Sequence, residues 1–232
     1  GSSRGIGLAI AKAFLDEGAQ VVLSSRNQKE LDQCTEKIIR GNLSSRVLSI
    51  RCDFTRYEDI TALKQQILEE WGGLDIIVAN VGSGKSVKTP IPDAKDWEQV
   101  FSLNFDSALS TAREFFPLLK LSKGSIIFIS SIAGMEAFGA PTDYSVAKTA
   151  VLAFSKNLAR KVGCEGVRVN CIAPGNIYFE GGSWDEKIQS DPDGIQQLIE
   201  RTVPMQRLGK PEEIADAVLF LSSERASFIT GT

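Results

Sequence analysis

The chain has 232 residues, of which 43% are hydrophobic and 24% charged, enough to bury one large α/β core in a single domain spanning 1–232. Its formal charge of −3 is spread without basic blocks, which argues against nucleic acid or an anionic membrane as the main partner and favours a small diffusing substrate. Histidine is absent, so Ser-His-Asp catalysis, a His general base and nearly all zinc hydrolase sites are excluded, and no metal site is expected. No apolar run approaches the roughly 18 residues that span a bilayer, and no basic, apolar leader is read at the start, so a cytoplasmic location is expected. Cys34, Cys52, Cys164 and Cys171 form no C-x-x-C pair and read as reduced packing residues.

Short β-branched runs alternate with longer amphipathic stretches, the signature of parallel strands joined by helical crossovers. The first motif, Gly1-Ser2-Ser3-Arg4-Gly5-Ile6-Gly7, runs into the periodic apolar residues Leu8, Ile10, Ala11, Phe14 and Leu15. A glycine-rich turn at a helix N-terminus is a phosphate cradle, because free N–H groups and the helix dipole face the anion; a plain connection is the other reading. A strand over 21–24 then leads into Ser25-Arg26, where a carboxylate would read the ribose 2′-hydroxyl of NAD. Arg26, with Arg4 as a second candidate, can instead pair with a 2′-phosphate, which predicts NADP(H) over NAD(H). Either arginine could equally be a solvated surface charge. The next strand, over 46–52, ends at Cys52-Asp53-Phe54-Thr55 and places Asp53 at a ligand-binding carboxyl edge, as an adenine acceptor or as a turn carboxylate.

A third strand is read over 74–79 and a long helix over 96–119, within which the amide of Asn104 follows Phe101 and Leu103 and needs a partner, a water at a helix kink being one. The strand over 125–130 ends beside Ser131, and Tyr144 begins a helix over 144–162. Tyr144 and Lys148 lie four residues apart and share a helix face. A cation about 4 Å from the phenol, at an effective dielectric of about 20, is worth about 4 kcal/mol, or roughly three pK units. That would bring Tyr144 within reach of acid/base work near neutrality. A fifth strand is read over 168–172, and Pro211-Glu212-Glu213 opens a late helix. The irregular stretch 175–192 reads as a mobile segment within a substrate lid over 175–204, or as a surface loop. The opening turn should follow a strand and the closing run Phe228-Ile229-Thr230-Gly231-Thr232 should enter one, so two further strands are expected, one of them central.

Taken in order, the motifs resemble the short-chain dehydrogenase/reductase family, and within it the single-domain branch containing the 3-oxoacyl-carrier-protein reductases. They are the glycine turn, Cys52-Asp53-Phe54-Thr55, Ala79-Asn80-Val81-Gly82, Ser130-Ser131, Tyr144 to Lys148, Asn170-Cys171-Ile172-Ala173-Pro174-Gly175, and Arg207-Leu208-Gly209-Lys210-Pro211-Glu212-Glu213-Ile214-Ala215. The resemblance implies a doubly wound, Rossmann-like, three-layer α/β fold with strand order 3-2-1-4-5-6-7, its first and last strands being the two absent ones. It also implies roles. Tyr144 would exchange a proton with the substrate oxygen, Ser131 would position that oxygen, and Lys148 would bind the nicotinamide ribose and lower the Tyr144 pKa. Asn104 would hold a water leading from Lys148 to solvent. Gly1, Ser3, Arg4, Gly5, Ile6, Gly7, Arg26, Asp53, Phe54, Asn80, Gly82, Tyr144, Lys148, Pro174, Gly175 and the Ile177 backbone would form the cofactor site.

The expected activity is NADP(H)-dependent reduction of a ketone, a 3-oxoacyl or other small carbonyl compound, or oxidation of the alcohol. An NAD-linked sugar or polyol dehydrogenase and a noncatalytic dinucleotide-binding sensor are the alternatives. The enoyl reductase branch spaces its tyrosine and lysine farther apart. Phe179 replaces a threonine common in the family and is expected to line the substrate pocket, together with parts of 81–92, 132–142 and 175–204; Trp97 and Trp184 hint at an apolar or ring-shaped ligand. Ser122-Lys123-Gly124 and Glu165-Gly166 lack the arginines that meet an acyl carrier protein. A homodimer or homotetramer is expected through the two long helices, whose Ala108, Ala112, Phe115, Phe116, Ala150, Val151, Phe154 and Leu158 read as more apolar surface than one sheet face can cover.

Overall fold

The computed structural model describes residues 1–39, 44–87 and 89–232; Lys88, in the stretch expected to line the pocket, lies outside them. Among the described residues the chain forms strands β1 (Val21–Ser25), β2 (Val47–Arg51), β3 (Ile76–Ala79), β4 (Ser125–Ile129) and β5 (Arg168–Ile172). These are the five runs read from the sequence, each within two residues at either end. The helices are α1 (Gly5–Asp16), α2 (Gln28–Ile38), α3 (Tyr57–Trp71), α4 (Ala94–Phe101), α5 (Ser107–Ser122), α6 (Thr142–Val162), α7 (Ser183–Ser190), α8 (Pro192–Thr202) and α9 (Pro211–Ser222). None is long and apolar enough to cross a membrane.

All strand pairs are parallel, β1 with β2, β3 with β4, and β4 with β5. A parallel sheet is covered on both faces, so its strands are apolar throughout rather than alternating. β4 shows this fully: Ile126 and Phe128 enter a core with α3, α5 and α6, whereas Ile127 and Ile129 enter another with α1 and α9. A third cluster joins α1, β1 and α2 through Leu15, Leu23, Leu31 and Ile38. The result is three layers, with α1, α2 and α9 on one face and α3, α5 and α6 on the other.

The described residues form two sheets, β1-β2 and β3-β4-β5. The strand order implied by the resemblance puts its first strand between β1 and β3. At that place lies a cleft of about 320 Å³, lined by Gly7, Ile10, Val22, Phe54, Val78 and Ala108 among others. Beyond β5, the backbone of Gly231 donates to Val169 O at 2.7 Å and Cys171 N–H donates to Thr232 O at 2.9 Å. Asn170 adds side-chain bonds to Ile229 O and from Thr232. The closing residues thus run along the free side of β5.

Two expectations are corrected. The helix read over 96–119 is helical throughout but not α throughout: a π turn at Ser102–Asp106 joins α4 to α5. The stretch read as irregular over 175–192 contains α7 and the start of α8, whose N-cap Asp191 accepts from Gly194 N–H and whose Pro192 opens the first turn, a pairing favoured at helix starts. The physical support offered for oligomerisation also falls away. Ala108, Ala112, Phe115 and Val151 are buried in the chain's own core, and Phe116, Phe154 and Leu158 pack against it.

Candidate active site

The carboxyl ends of the strands bring the expected residues to one edge, where open parallel sheets bind ligands. The glycine turn comes first. N-cap Arg4 offers α1 no side-chain acceptor, so the first-turn N–H groups are presented to a ligand. A Cβ on Gly7 would stand 2.0 Å from Gly1 O and 2.7 Å from Asn80 Nδ2, which only glycine avoids. Asn80, beyond β3, fixes the turn by donating from Nδ2 to Gly1 O at 2.9 Å, and Ser2 N–H donates to Ser24 O at 2.9 Å.

Arg26 and Ser25 follow as expected at the end of β1. Asp53 accepts from both N–H and hydroxyl of Thr55, at 3.0 and 2.7 Å. Burial works against its charge, but these bonds together with Arg26 and Arg56 hold its carboxyl below the usual range. Both readings of Asp53 survive, because the turn employs only Oδ1. Arg4 donates to Gly181 O at 3.2 Å, tying the glycine turn to the stretch before α7.

At the other end of this sheet edge, Ser131 caps the short turn Ile132–Gly134 by accepting from Ala133 N–H, and its hydroxyl is near enough to the Tyr144 phenol to act on its pKa. Lys148 is 4% exposed and donates to Ile129 O at 3.0 Å. Ser130 Oγ donates to Lys148 O at 2.8 Å, locking α6 onto β4. Burial pushes the Lys148 ammonium down to about 8. The expectation that Lys148 draws the phenol down is not met in this structure. Its Nζ lies 5.9 Å from the Tyr144 ring centroid, and burial of the phenol raises its pKa, with the Ser131 hydroxyl opposing.

Asn104 sits on the π turn, 1% exposed. Its Oδ1 accepts from Ser83 N–H at 3.0 Å, and its Nδ2 donates to Ser83 O and Val100 O at 3.1 and 3.0 Å. The side chain of Asn104 is therefore held at the kink by backbone partners on two sides. A Cβ on Gly82 would meet Asn104 Oδ1 at 2.6 Å and Lys148 Nζ at 3.0 Å, so these two polar groups crowd one point above a bare backbone.

The Pro174-Gly175 segment closes the site. Ile132 N–H donates to Pro174 O at 3.0 Å. Gly209 exchanges backbone bonds with Asn176 O and Tyr178 N–H, which in a parallel bridge leaves the polar backbone of Ile177 facing away from Gly209. Phe179 is placed differently from expectation. A Cβ on Gly5 would lie 2.7 Å from its ring, so the ring rests on the glycine turn rather than in a substrate pocket. Trp97 stacks on Phe101 and Trp184 lies under Lys187. Lys85 pairs with Glu186 at 2.8 Å, which joins the loop after β3 to α7.

These residues fit a nicotinamide dinucleotide: uncapped helix donors and close-packed glycines at one end, a serine, a phenol and an ammonium at the other, with Phe179 having to leave Gly5 to clear the turn. Sequence reasoning missed Glu30, whose carboxylate accepts from Ser3 Oγ at 3.4 Å and Asn27 Nδ2 at 3.0 Å. The spacing Asn27-x-x-Glu30, a capping-box pattern, was the available signal.

A family model described as Enoyl-(Acyl carrier protein) reductase matches residues 1–232. Dehydrogenase/reductase SDR family member 4 of Rattus norvegicus is 35% identical over 99% of this chain and 81% of its own length. A 3-oxoacyl-[acyl-carrier-protein] reductase FabG of Chlamydia trachomatis is 34% identical over 100% and 91%, and L-fucose dehydrogenase of Oryctolagus cuniculus 37% over 100% and 79%. The crystal structure of levodione reductase superposes with a TM-score of 0.90 at 24% identity, covering 100% of this chain and 91% of that one, a likeness of fold. The chain belongs to the short-chain dehydrogenase/reductase family, oxidoreductases that bind a nicotinamide dinucleotide.

Proposed function

We propose that the protein is an NADP(H)-dependent reductase of a small ketone, or in reverse a dehydrogenase of the secondary alcohol, with Tyr144 as acid/base. The observation that carries this reading is the convergence of the Ser131 hydroxyl, the Tyr144 phenol and the Lys148 ammonium beside Asn104, at the same sheet edge as the glycine turn. The bound nicotinamide would supply or take the hydride. Ser131 would hold the substrate oxygen through its hydroxyl, and Tyr144 would give that oxygen its proton. Lys148 would bind the ribose and, once engaged there, favour the phenolate. Asn104 positions the loop at Ser83, and Gly1, Ser3, Gly5, Ile6 and Gly7 would hold the diphosphate with Phe54, Asp53 and Gly82 along the nucleotide.

The four-residue Tyr144–Lys148 spacing supports carbonyl over enoyl reduction. Support for NADP(H) is Arg26 at the end of β1, with Arg4 as second cation. Met135 and Phe138, exposed in the segment after β4, favour a substrate with an apolar body. An acyl carrier protein is disfavoured, because Lys120 on that face is already paired with Glu165. The dimer or tetramer rests on family resemblance alone. A second reading, NAD-linked sugar oxidation, draws on the L-fucose dehydrogenase relative and on the carboxylate of Glu30. Parallel turnover assays of a ketone panel with NADPH and a sugar panel with NAD, each repeated on Arg26→Ala, test the choice. Ketone turnover with NADPH that collapses in the variant supports the first reading; sugar turnover with NAD untouched by it supports the second.

A further inference from the structure

The far end of this site holds a carboxylate that belongs to α2 rather than to β1. Glu30 lies in the first turn of α2, three residues past its N-cap Asn27. The Asn27 side chain accepts from Glu30 N–H at 3.3 Å and donates to Glu30 Oε1 at 3.0 Å. Ser3 Oγ donates to Oε2 at 3.4 Å. These contacts turn the carboxylate back across the mouth of the glycine turn instead of letting it trail into solvent along the helix.

The same hydroxyl of Ser3 lies 3.4 Å from Ser25 Oγ, which in turn accepts from Asn27 N–H at 3.2 Å. Ser3, Ser25, Asn27 and Glu30 therefore form a ring of polar groups carrying one negative charge. It is centred on the carboxyl end of β1, where a ribose hydroxyl would be read. Arg26 is the next residue, exposed, and near enough to Asp53 to hold that carboxyl down. Two opposite charges thus flank one subsite, one from the strand end and one from the helix.

We propose that Glu30 is a specificity-determining residue that opposes Arg26, accepting a ribose 2′-hydroxyl and repelling a 2′-phosphate. The inference rests on reading this edge as the adenosine-ribose site of a nicotinamide dinucleotide. A carboxylate is an acceptor only: it can take a hydroxyl proton, but it meets the acceptor oxygens and charge of a phosphate with repulsion that falls with distance and with salt. Arg26 makes the opposite choice. The preference for NADP(H) over NAD(H) is the balance of the two.

Glu30→Gln removes the charge and leaves an amide oxygen able to accept from Ser3 or Asn27, so the ring and the helix start are kept. Fluorescence titration with NADPH and NADH is carried out on the protein, Glu30→Gln and Arg26→Ala, at low and high salt. Glu30→Gln is expected to bind NADPH about tenfold tighter at low salt, with NADH unchanged or weakened about threefold, and the gain to shrink at high salt. An equal change for both cofactors, or none for either, overturns the role of Glu30. The NADP reading fails separately: Arg26→Ala would then leave the NADPH-to-NADH ratio unchanged, while Glu30→Gln still raised it. Thermal melting of Glu30→Gln at the temperature of the parent separates a charge effect from loss of fold, and Glu30→Ala, which has no acceptor, must show the same NADPH gain.

Discussion

Lys148 is held near 8 against its ordinary 10.5 by burial. Unfolding therefore takes up a proton between those values, so the stability of the folded protein rises with pH from about 8 to about 10.5 and carries a constant cost below 8. A shift of that size is on the order of 3 kcal/mol. Lys148→Met should raise stability at pH 7 by about 2 kcal/mol after loss of the Ile129 bond, and should flatten the rise with pH while abolishing turnover. Urea unfolding at pH 7 and pH 10, beside an activity assay, checks both. Tyr144→Phe should lower turnover by about a hundredfold or more with cofactor binding retained, read by paired kinetics and titration. That Ser131, Tyr144, Lys148 and Asn104 would meet at one sheet edge was legible from spacing and strand ends together with the family resemblance. The direction of the Tyr144 shift was not, because it depends on burial and on where the ammonium finds its acceptor, and both are properties of packing. Glu30 was visible only as a helix-start pattern until the fold set it beside Ser3.

The π turn between α4 and α5 shows how an element can be read correctly and still hide its working part. The apolar period over 96–119 is helical throughout, but one turn widens at Asn104 so that its amide serves Ser83 and Val100, while Ser107 Oγ donates to Leu103 O at 2.7 Å and binds a carbonyl of the widened turn. Asn104→Ala leaves the N–H and carbonyl of Ser83 without these partners, at about 1 to 3 kcal/mol. Thermal unfolding, together with faster hydrogen exchange at Ser83, is the expected outcome to measure. The stretch before α7 carries the opposite lesson: its glycines read as irregular, yet Asp185 accepts from Gly181 N–H at 2.8 Å and orders it. With Phe179 lying on Gly5, Phe179→Ala should tighten cofactor binding about threefold to tenfold, since a competing closed arrangement is lost. Titration against the parent protein measures this, and weaker binding in the variant would show that the ring supports the cofactor instead.

Across the whole molecule, alternation of strands and helices gave away the parallel architecture, and the motif order gave away the carboxyl edge that carries the site. The gap between the β1-β2 and β3-β4-β5 sheets falls where the strand order implied by the resemblance puts its first strand; the hydrophobic pattern alone, which marks β1 and β3 as buried, did not name their neighbours. For the same reason, Ala112, Phe115 and Val151 looked like surplus surface from sequence and are core in the fold. In the proposed reaction, hydride moves between a nicotinamide and a carbonyl carbon under Tyr144. Incubation of the protein with deuterated NADPH, labelled at the transferring carbon, and a ketone panel follows that atom directly. Deuterium is expected at the carbinol carbon of at least one product alcohol, appearing at least about a hundredfold more slowly with Tyr144→Phe; tight NADPH binding with no label reaching any carbonyl, or labelling by Tyr144→Phe at the parent's rate, would contradict hydride transfer under Tyr144.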